Sequence, residues 1–226
     1  KLAIHGIIGI MLVQFTYFMG IAEGDAAATT VIGYTSPAMM ILYFSVRDQR
    51  MPSVVEAGTV IVAVAGVFLL VTGGDLGRLS VPMACIVWSL VSAIVFVFAM
   101  VYPVHLLRLF DRFFLLAVCM LIGGISLLPL THAIVDVRTF FTAGTWLDLF
   151  IIIGLGTVVA FFAFNLGLRR LTSEETAITA TIEPVASIIF AWLIFDTQFV
   201  VVQIFGIALV IAAILTPNLL RKWGYT

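Results

Sequence analysis

Of the twelve Asp and Glu residues, Glu183 alone lies deep inside a long apolar run; the other eleven fall in loops or near the ends of such runs. An ionisable side chain at the centre of a membrane helix costs about 2.5–3.5 kcal/mol on insertion scales, so it faces a cavity, finds a partner or holds a proton. Two chemical roles suit it: contact with the amine of a substrate, or a carboxyl that couples transport to protons. The plainer alternative is a protonated Glu that hydrogen-bonds one helix to another. Pro184 follows directly and has no N–H, so the carbonyl of Ala180 loses its helical acceptor role; Pro37 does the same for Gly33. Freed carbonyls at membrane depth suit a polar cavity better than lipid, although a proline kink also serves plain packing.

Helical spacing groups further polar residues. Thr176, Thr179, Glu183 and Ser187 form one stripe, and Thr29, Gly33, Ser36 and Met40 form another. Singly, such Thr and Ser side chains more often bond backbone or pack as small residues. Gln14 and Asn165 are amides in apolar runs, where exposure to lipid is expensive; they either line a cavity or tie helices together. Tyr17, Trp88, Ser89 and Ser92 are further candidates, and Trp88 and Trp192 would suit the wall of a cavity for an apolar or cationic substrate. No catalytic constellation is present, since an intramembrane enzyme needs at least two cooperating polar groups. His5, His105 and His132 are scattered without metal-ligand spacing, and Cys85 and Cys119 lie in apolar runs as small hydrophobes. Neither a metal nor a cofactor is implied.

These residues are held by a chain whose solvent is lipid. Of its 226 residues 63% are hydrophobic and 10% charged, with mean hydropathy +1.24; soluble domains run at about 45–50% apolar and about 25% charged. A net charge of -1 offers no basic field for nucleic acid. The apolar runs are continuous rather than alternating, which predicts helices and not barrel strands. Eight spans are expected, near Leu2–Ala22, Ala26–Val46, Val54–Val71, Pro82–Val101, Phe113–Leu130, Leu149–Leu168, Glu175–Phe195 and Val200–Pro217. The longest connection, Thr131 to Asp148, reads as an interfacial segment with Trp146 at headgroup level. The third and eighth spans carry small residues at helical spacing, Gly58, Val62 and Gly66 on one and Ala208 and Ala212 on the other, as close-packed scaffold does.

Of the eleven Lys and Arg residues, Lys1, Arg47, Arg50, Arg108, Arg112, Arg169, Arg170, Arg221 and Lys222 fall on one side, and only Arg78 and Arg138 on the other. The rich side is expected to be cytoplasmic, with both ends of the chain on it.

The sequence also repeats itself. At an offset of 147, Gly20 matches Gly167, Thr29 matches Thr176, Pro37 matches Pro184 and Ile41 matches Ile188, with Ser36 at the position of Glu183. One residue later in offset, Gly58 matches Gly206, Val62 matches Val210 and Ala65 matches Ala213. The second and seventh spans are thus equivalent but an odd number of spans apart, so they cross in opposite directions, as in inverted repeats. Residues 1–73 would be the remainder of a first repeat, with three helices, and 82–217 a second, with five; two helices would precede this stretch in a ten-helix parent.

Tyr17-Phe18-Met19-Gly20 with 26–37, Phe164-Asn165-Leu166-Gly167 with Thr176-Ala177 and Glu183-Pro184, and the glycines Gly58 and Gly206 together resemble the drug/metabolite transporter superfamily, EamA type. Where that family usually has a Glu after the fourth helix of each repeat, this chain has Asp48 and Asp196. The resemblance implies an all-α polytopic carrier of the inner membrane, five helices plus five. It would export small metabolites, amino acids or drugs by alternating access. Its partners would be a small-molecule substrate and the lipid bilayer, with a homodimer as a further expectation. A non-transporting scaffold or receptor is the alternative, and a sealed, fully packed interior would mark it. Topology is testable directly: a green fluorescent protein fused after Thr226 is expected to fluoresce, and alkaline phosphatase inserted between 132 and 142 to be active. The reverse pattern would overturn the assigned orientation.

Overall fold

The computed structural model describes residues 1–75, 79–131, 143–168 and 182–222, and all regular structure among them is helical. Helix α1 spans Leu2–Glu23 and contains a π-helical stretch, His5–Leu12. It is followed by α2 (Ala26–Gly33), α3 (Ser36–Arg47), α4 (Val54–Thr72), α5 (Met83–Val101) and α6 (Arg112–Thr131). Helix α7 joins Ala143–Phe150, a second π-helical stretch Ile151–Val159, and Ala160–Leu168. The last two are α8 (Ile182–Phe195) and α9 (Val201–Lys222).

Helices α1, α4, α5 and α6 are each long and apolar enough to cross a membrane, and shorter apolar helices accompany them. Their outward faces carry large apolar side chains, such as Ile61 at 67% and Phe68 at 51% exposure on α4. That pattern suits lipid as the solvent and fits a polytopic membrane protein.

The second span, expected as one helix over Ala26–Val46, is two helices with a break at Tyr34–Thr35. Pro37 supplies the reason: it lacks the N–H that would bond the Gly33 carbonyl, and its ring crowds that carbonyl in a continuous helix. The chain tightens instead. The Thr35 N–H and hydroxyl both donate to the Ile32 carbonyl, at 3.0 and 2.7 Å, and α3 restarts with Pro37 in its first turn. The expected beginning of the seventh span at Glu175 lies outside the described residues.

Helix ends follow local chemistry. Asp25 caps α2 through the Ala28 N–H at 2.8 Å. Ser53 and Glu56 form a reciprocal capping box on α4. Arg50 forks onto Glu56 through two 2.7 Å bonds, which hold its guanidinium above its ordinary pKa. Helix α4 ends on Gly73 at φ 59, a left-handed position that glycine adopts without penalty. Arg47 and Arg50 are therefore held by local acidic neighbours, Asp48 and Glu56.

The broadest helix pairing joins α4 and α9, and it is built on glycine. A Cβ added to Gly66 would stand 2.6 Å from the Gly206 carbonyl oxygen, and one added to Gly206 would stand 2.5 Å from that of Gly66. With no hydrophobic drive between helices in lipid, such backbone approach supplies the dispersion contact that holds them. Around it, Val31, Ile32, Leu70, Val71, Ile207 and Val210 form the main core, and Ala38, Ala63 and Ala213 a second cluster. Gln203 at the start of α9 donates to the Leu70 carbonyl at 3.1 Å. Gly66 meets Gly206 and Val210 while Leu70 meets Gly206 and Gln203, so the two helices run antiparallel.

Two backbone features recur at the offset of 147. Shifted by it, His5–Leu12 falls on 152–159, and the second π-helical stretch is Ile151–Val159. The two non-glycine residues with positive φ, Gln49 at 49° and Asp196 at 53°, are also 147 apart among the described residues. Each closes the region after one of the matched helices, α3 and α8.

Forcing a methyl between Gly66 and Gly206 overpacks the crossing. Gly66→Ala is expected to destabilise the purified protein by about 1–3 kcal/mol, read as a fall in melting temperature in detergent. Gly58, where an added Cβ meets nothing within 4 Å, should tolerate Ala to within about 0.5 kcal/mol. Equal melting temperatures for the two variants would contradict the glycine crossing.

Candidate functional site

The site is assembled where α2 meets α8. Thr30 and Tyr34 are one turn apart on the α2 side, and Glu183 and Ser187 are one turn apart on α8. They meet as two rungs. The Tyr34 hydroxyl donates to Glu183 Oε2 at 2.7 Å, and Ser187 Oγ reaches Thr30 Oγ1 at 3.5 Å. The pairing 34 with 183 and 30 with 187 makes these helices antiparallel as well. Tyr17 on α1 joins from the side, its hydroxyl 2.8 Å from Thr30 Oγ1.

The helix break positions the first rung. Tyr34 is the first residue beyond the regular turns of α2, with φ -70 and ψ 4, and its N–H still bonds the Thr30 carbonyl at 3.0 Å. Glu183 sits in the first turn of α8, beside Pro184. Glu183 is exposed, and Tyr34 is its one hydrogen-bond partner among the described residues.

Hydroxyl directions follow from counting protons. Thr30 Oγ1 donates its single hydrogen to the Ala26 carbonyl at 2.7 Å. The bond it shares with Tyr17 therefore has Tyr17 as donor, while the one Ser187 proton has two acceptors at 3.5 Å, Thr30 Oγ1 and the Ala26 carbonyl. Tyr34 donates to Glu183.

The sequence-derived candidates divide accordingly. Glu183 and Tyr17 come together at this site, with Ser187 beside them. The stripe read on the second span is turned by one residue: Thr30 and Tyr34 meet α8, whereas Thr29 is fully buried toward α5, 3.5 Å from Cys85 Sγ. Gly20 makes room for Thr29 there, since an added Cβ would stand 2.9 Å from its methyl. Ser36 is buried at the start of α3, across the break from Tyr34. Ser89 is fully buried and donates to the Cys85 carbonyl at 2.7 Å within its own helix. Ser92 reaches the Val13 carbonyl at 3.4 Å, and Trp88 packs edge-on against Phe15. Gln14 is exposed on α1, and Trp192 is 59% exposed on α8. Thr176 and Thr179 lie outside the described residues, as does the side chain of Asn165. Both cysteines are buried free thiols.

Thr30 and Tyr34 escaped the sequence reading. The signal available was their spacing of four and the place of Tyr34 just before Thr35-Ser36-Pro37, where a break leaves a side chain beside unpaired backbone.

Similarity to known proteins places the chain more widely. A family model described as the EamA-like transporter family matches residues 83–218. A Salmonella typhimurium protein named an uncharacterized inner membrane transporter, YicL, is 24% identical over 219 residues, covering 97% of this chain and 73% of the relative. A solved crystal structure aligns with TM-score 0.61 and 17% identity, over 99% of this chain and 78% of that one, a likeness of fold alone. Since the family match takes in more than half of its residues, this multi-span chain, helical throughout its described regular structure, belongs to the EamA-like transporter family.

Proposed function

We propose that the protein is a secondary transporter that exports a small metabolite across the cytoplasmic membrane by alternating access. The observation that carries this reading is the Tyr34–Glu183 hydrogen bond: it joins the broken second span to its sequence-equivalent helix at an exposed carboxylate. A substrate site between equivalent, oppositely directed helices is what alternation needs, because rocking one half against the other then exposes the same groups to either side.

The division into two inverted repeats, 1–73 and 82–217, draws support from several features. The equivalent helices α4 and α9 pair and run antiparallel, and α2 of the second span lies antiparallel to α8 of the seventh. The π-helical stretches and the left-handed residues recur at the repeat offset. The family match at 83–218 coincides with the second repeat. In this reading Glu183, Tyr17 and Tyr34 contact substrate. Ser36, Gln14, Asn165, Thr179, Trp88 and Ser89 complete or support the wall. Pro37 and Pro184 set the helix breaks, and both ends of the chain face the cytoplasm. Residence in the inner membrane is supported by the printed name of the Salmonella relative. Glu183 also serves as the group that takes up and releases a proton between states.

The test compares metabolites in the medium of bacteria carrying wild type, Glu183→Gln or an empty vector, at equal membrane expression. A compound enriched by wild type and lost in Glu183→Gln is the expected result. Identical media from all three would count against export through Glu183. Transport of that compound should also lose most of its pH dependence in Glu183→Gln, and an unaltered pH profile would remove proton exchange from the account.

A further inference from the structure

We infer that the contact of Ser187 with Ala26 and Thr30 is a gate, which closes the candidate site toward the Asp25 end of α2 and opens by parting α8 from α2. The inference rests on the reading of this site as the substrate site, and names the contact that regulates access to it.

Position comes first. Ser187 lies one turn from Glu183 on the way to Phe195, and Thr30 lies one turn from Tyr34 on the way to Asp25. The antiparallel pairing therefore sets the Ser187 rung between Glu183 and the end of the bundle where α1 stops and α2 begins. That end is tightly filled. Gly24, after α1, meets Cys85 near the start of α5, and Gly73, after α4, meets Val200 just before α9. Every residue of α2 from Ala27 to Ile32 is buried, so this half of the broken span is enclosed on all its faces. Passage from this end to Glu183 along α2 must cross the Ser187 rung.

Bond lengths decide which contact yields. The Thr30 hydroxyl donates to the Ala26 carbonyl at 2.7 Å and accepts from Tyr17 at 2.8 Å, both ordinary lengths for such bonds. The single Ser187 proton has two acceptors, each 3.5 Å away, beyond the usual range of about 2.5–3.0 Å. Next to it, Ile188 is only half-buried on the core, and an apolar contact between helices gains little over contact with lipid tails. Helix α8 therefore parts from α2 at Ser187 while Thr30 keeps Tyr17. The opened seam is bordered by Ala26, Ala27 and Thr30, two of them small enough to leave a passage.

Thiol labelling reads this gate without a substrate. In the full chain carrying Cys85→Ser and Cys119→Ser, Ala27→Cys places one thiol where the closed contact leaves 1% exposure. Glu23→Cys, at an exposed position, identifies the face by its own reaction. An impermeant methanethiosulfonate, applied to intact cells and to inverted vesicles, is expected to reach Ala27→Cys slowly and from the same face as Glu23→Cys. Adding Ser187→Ala should speed that reaction about two- to tenfold, the range for one hydroxyl bond lost. Native Cys85, fully buried against Thr29 on another face of α2, is the control: in a chain lacking only Cys119, Ser187→Ala should leave its rate unchanged. All variants are first required to elute as monodisperse protein. An inert Ala27→Cys, equal rates with and without Ser187→Ala, or the same acceleration at Cys85 would each overturn the inference. Gated labelling in a protein that exports nothing would leave the opening contact standing and count against transport. Export of a compound with an inert Ala27→Cys would do the reverse.

Discussion

A peptide carbonyl inside a bilayer must find a donor, and proline removes one. Pro37 imposes that constraint in the middle of the second span, and much of the site follows from it. The helix tightens onto the Ile32 carbonyl, stops at Tyr34–Thr35 and restarts at Ser36. The break turns Tyr34 toward α8, where its hydroxyl meets Glu183. A continuous helix would carry the same residues but would offer neither the interruption nor the loose carbonyl beside it. The strain-free break and the isolated carboxylate are each of little use alone. Together they make a small polar patch in a chain that is otherwise built for lipid.

What holds this patch open is packing elsewhere. The backbone contact of Gly66 with Gly206 fixes α4 against α9, and the core around Leu70 and Val210 reaches Val31 and Ile32 of α2. The last turn of α2 is thereby anchored directly before the break, and Tyr34 and Ile188 pack against the same core. The π-helical stretches fall in α1 and α7, at positions related by the offset of 147. Wider helical turns loosen the local ladder and are frequent at functional positions. Their recurrence at one offset matches the recurrence of Gln49 and Asp196 in left-handed geometry. These backbone features thus recur at the same offset of 147 as the matched side chains.

Much of this was legible in the residues. Continuous apolar runs predicted helices, and four of the expected spans are observed as long apolar helices with ends shifted by only a few residues. Glu183 stood out because a deep carboxylate is costly, and the small residues of the third and eighth spans marked them as close-packed, without showing that they pack against each other. The broken second span was not predicted as two helices, since a proline announces a lost bond but not whether the helix bends or stops. The face of that span was off by one residue. Thr29 and Thr30 are indistinguishable by composition, and only packing against Gly20 and Cys85 assigns Thr29 inward and Thr30 to the site. Ser89 looked polar enough for a cavity, yet its hydroxyl bonds its own helix. Hydroxyl orientation has no signature in sequence at all; it emerges from the chain of acceptors that ends at Ala26.

The account turns on Glu183 lining a water-accessible site between α2 and α8. The most direct measurement is chemical labelling of Glu183→Cys in a background carrying Cys85→Ser and Cys119→Ser, with a charged, membrane-impermeant methanethiosulfonate applied to intact cells and to inverted vesicles. The account predicts that the thiol reacts from at least one face, and that Tyr34→Phe leaves this reaction in place. A thiol at this position that stays inert from both faces, while a control cysteine in the loop before α4 reacts, would contradict it.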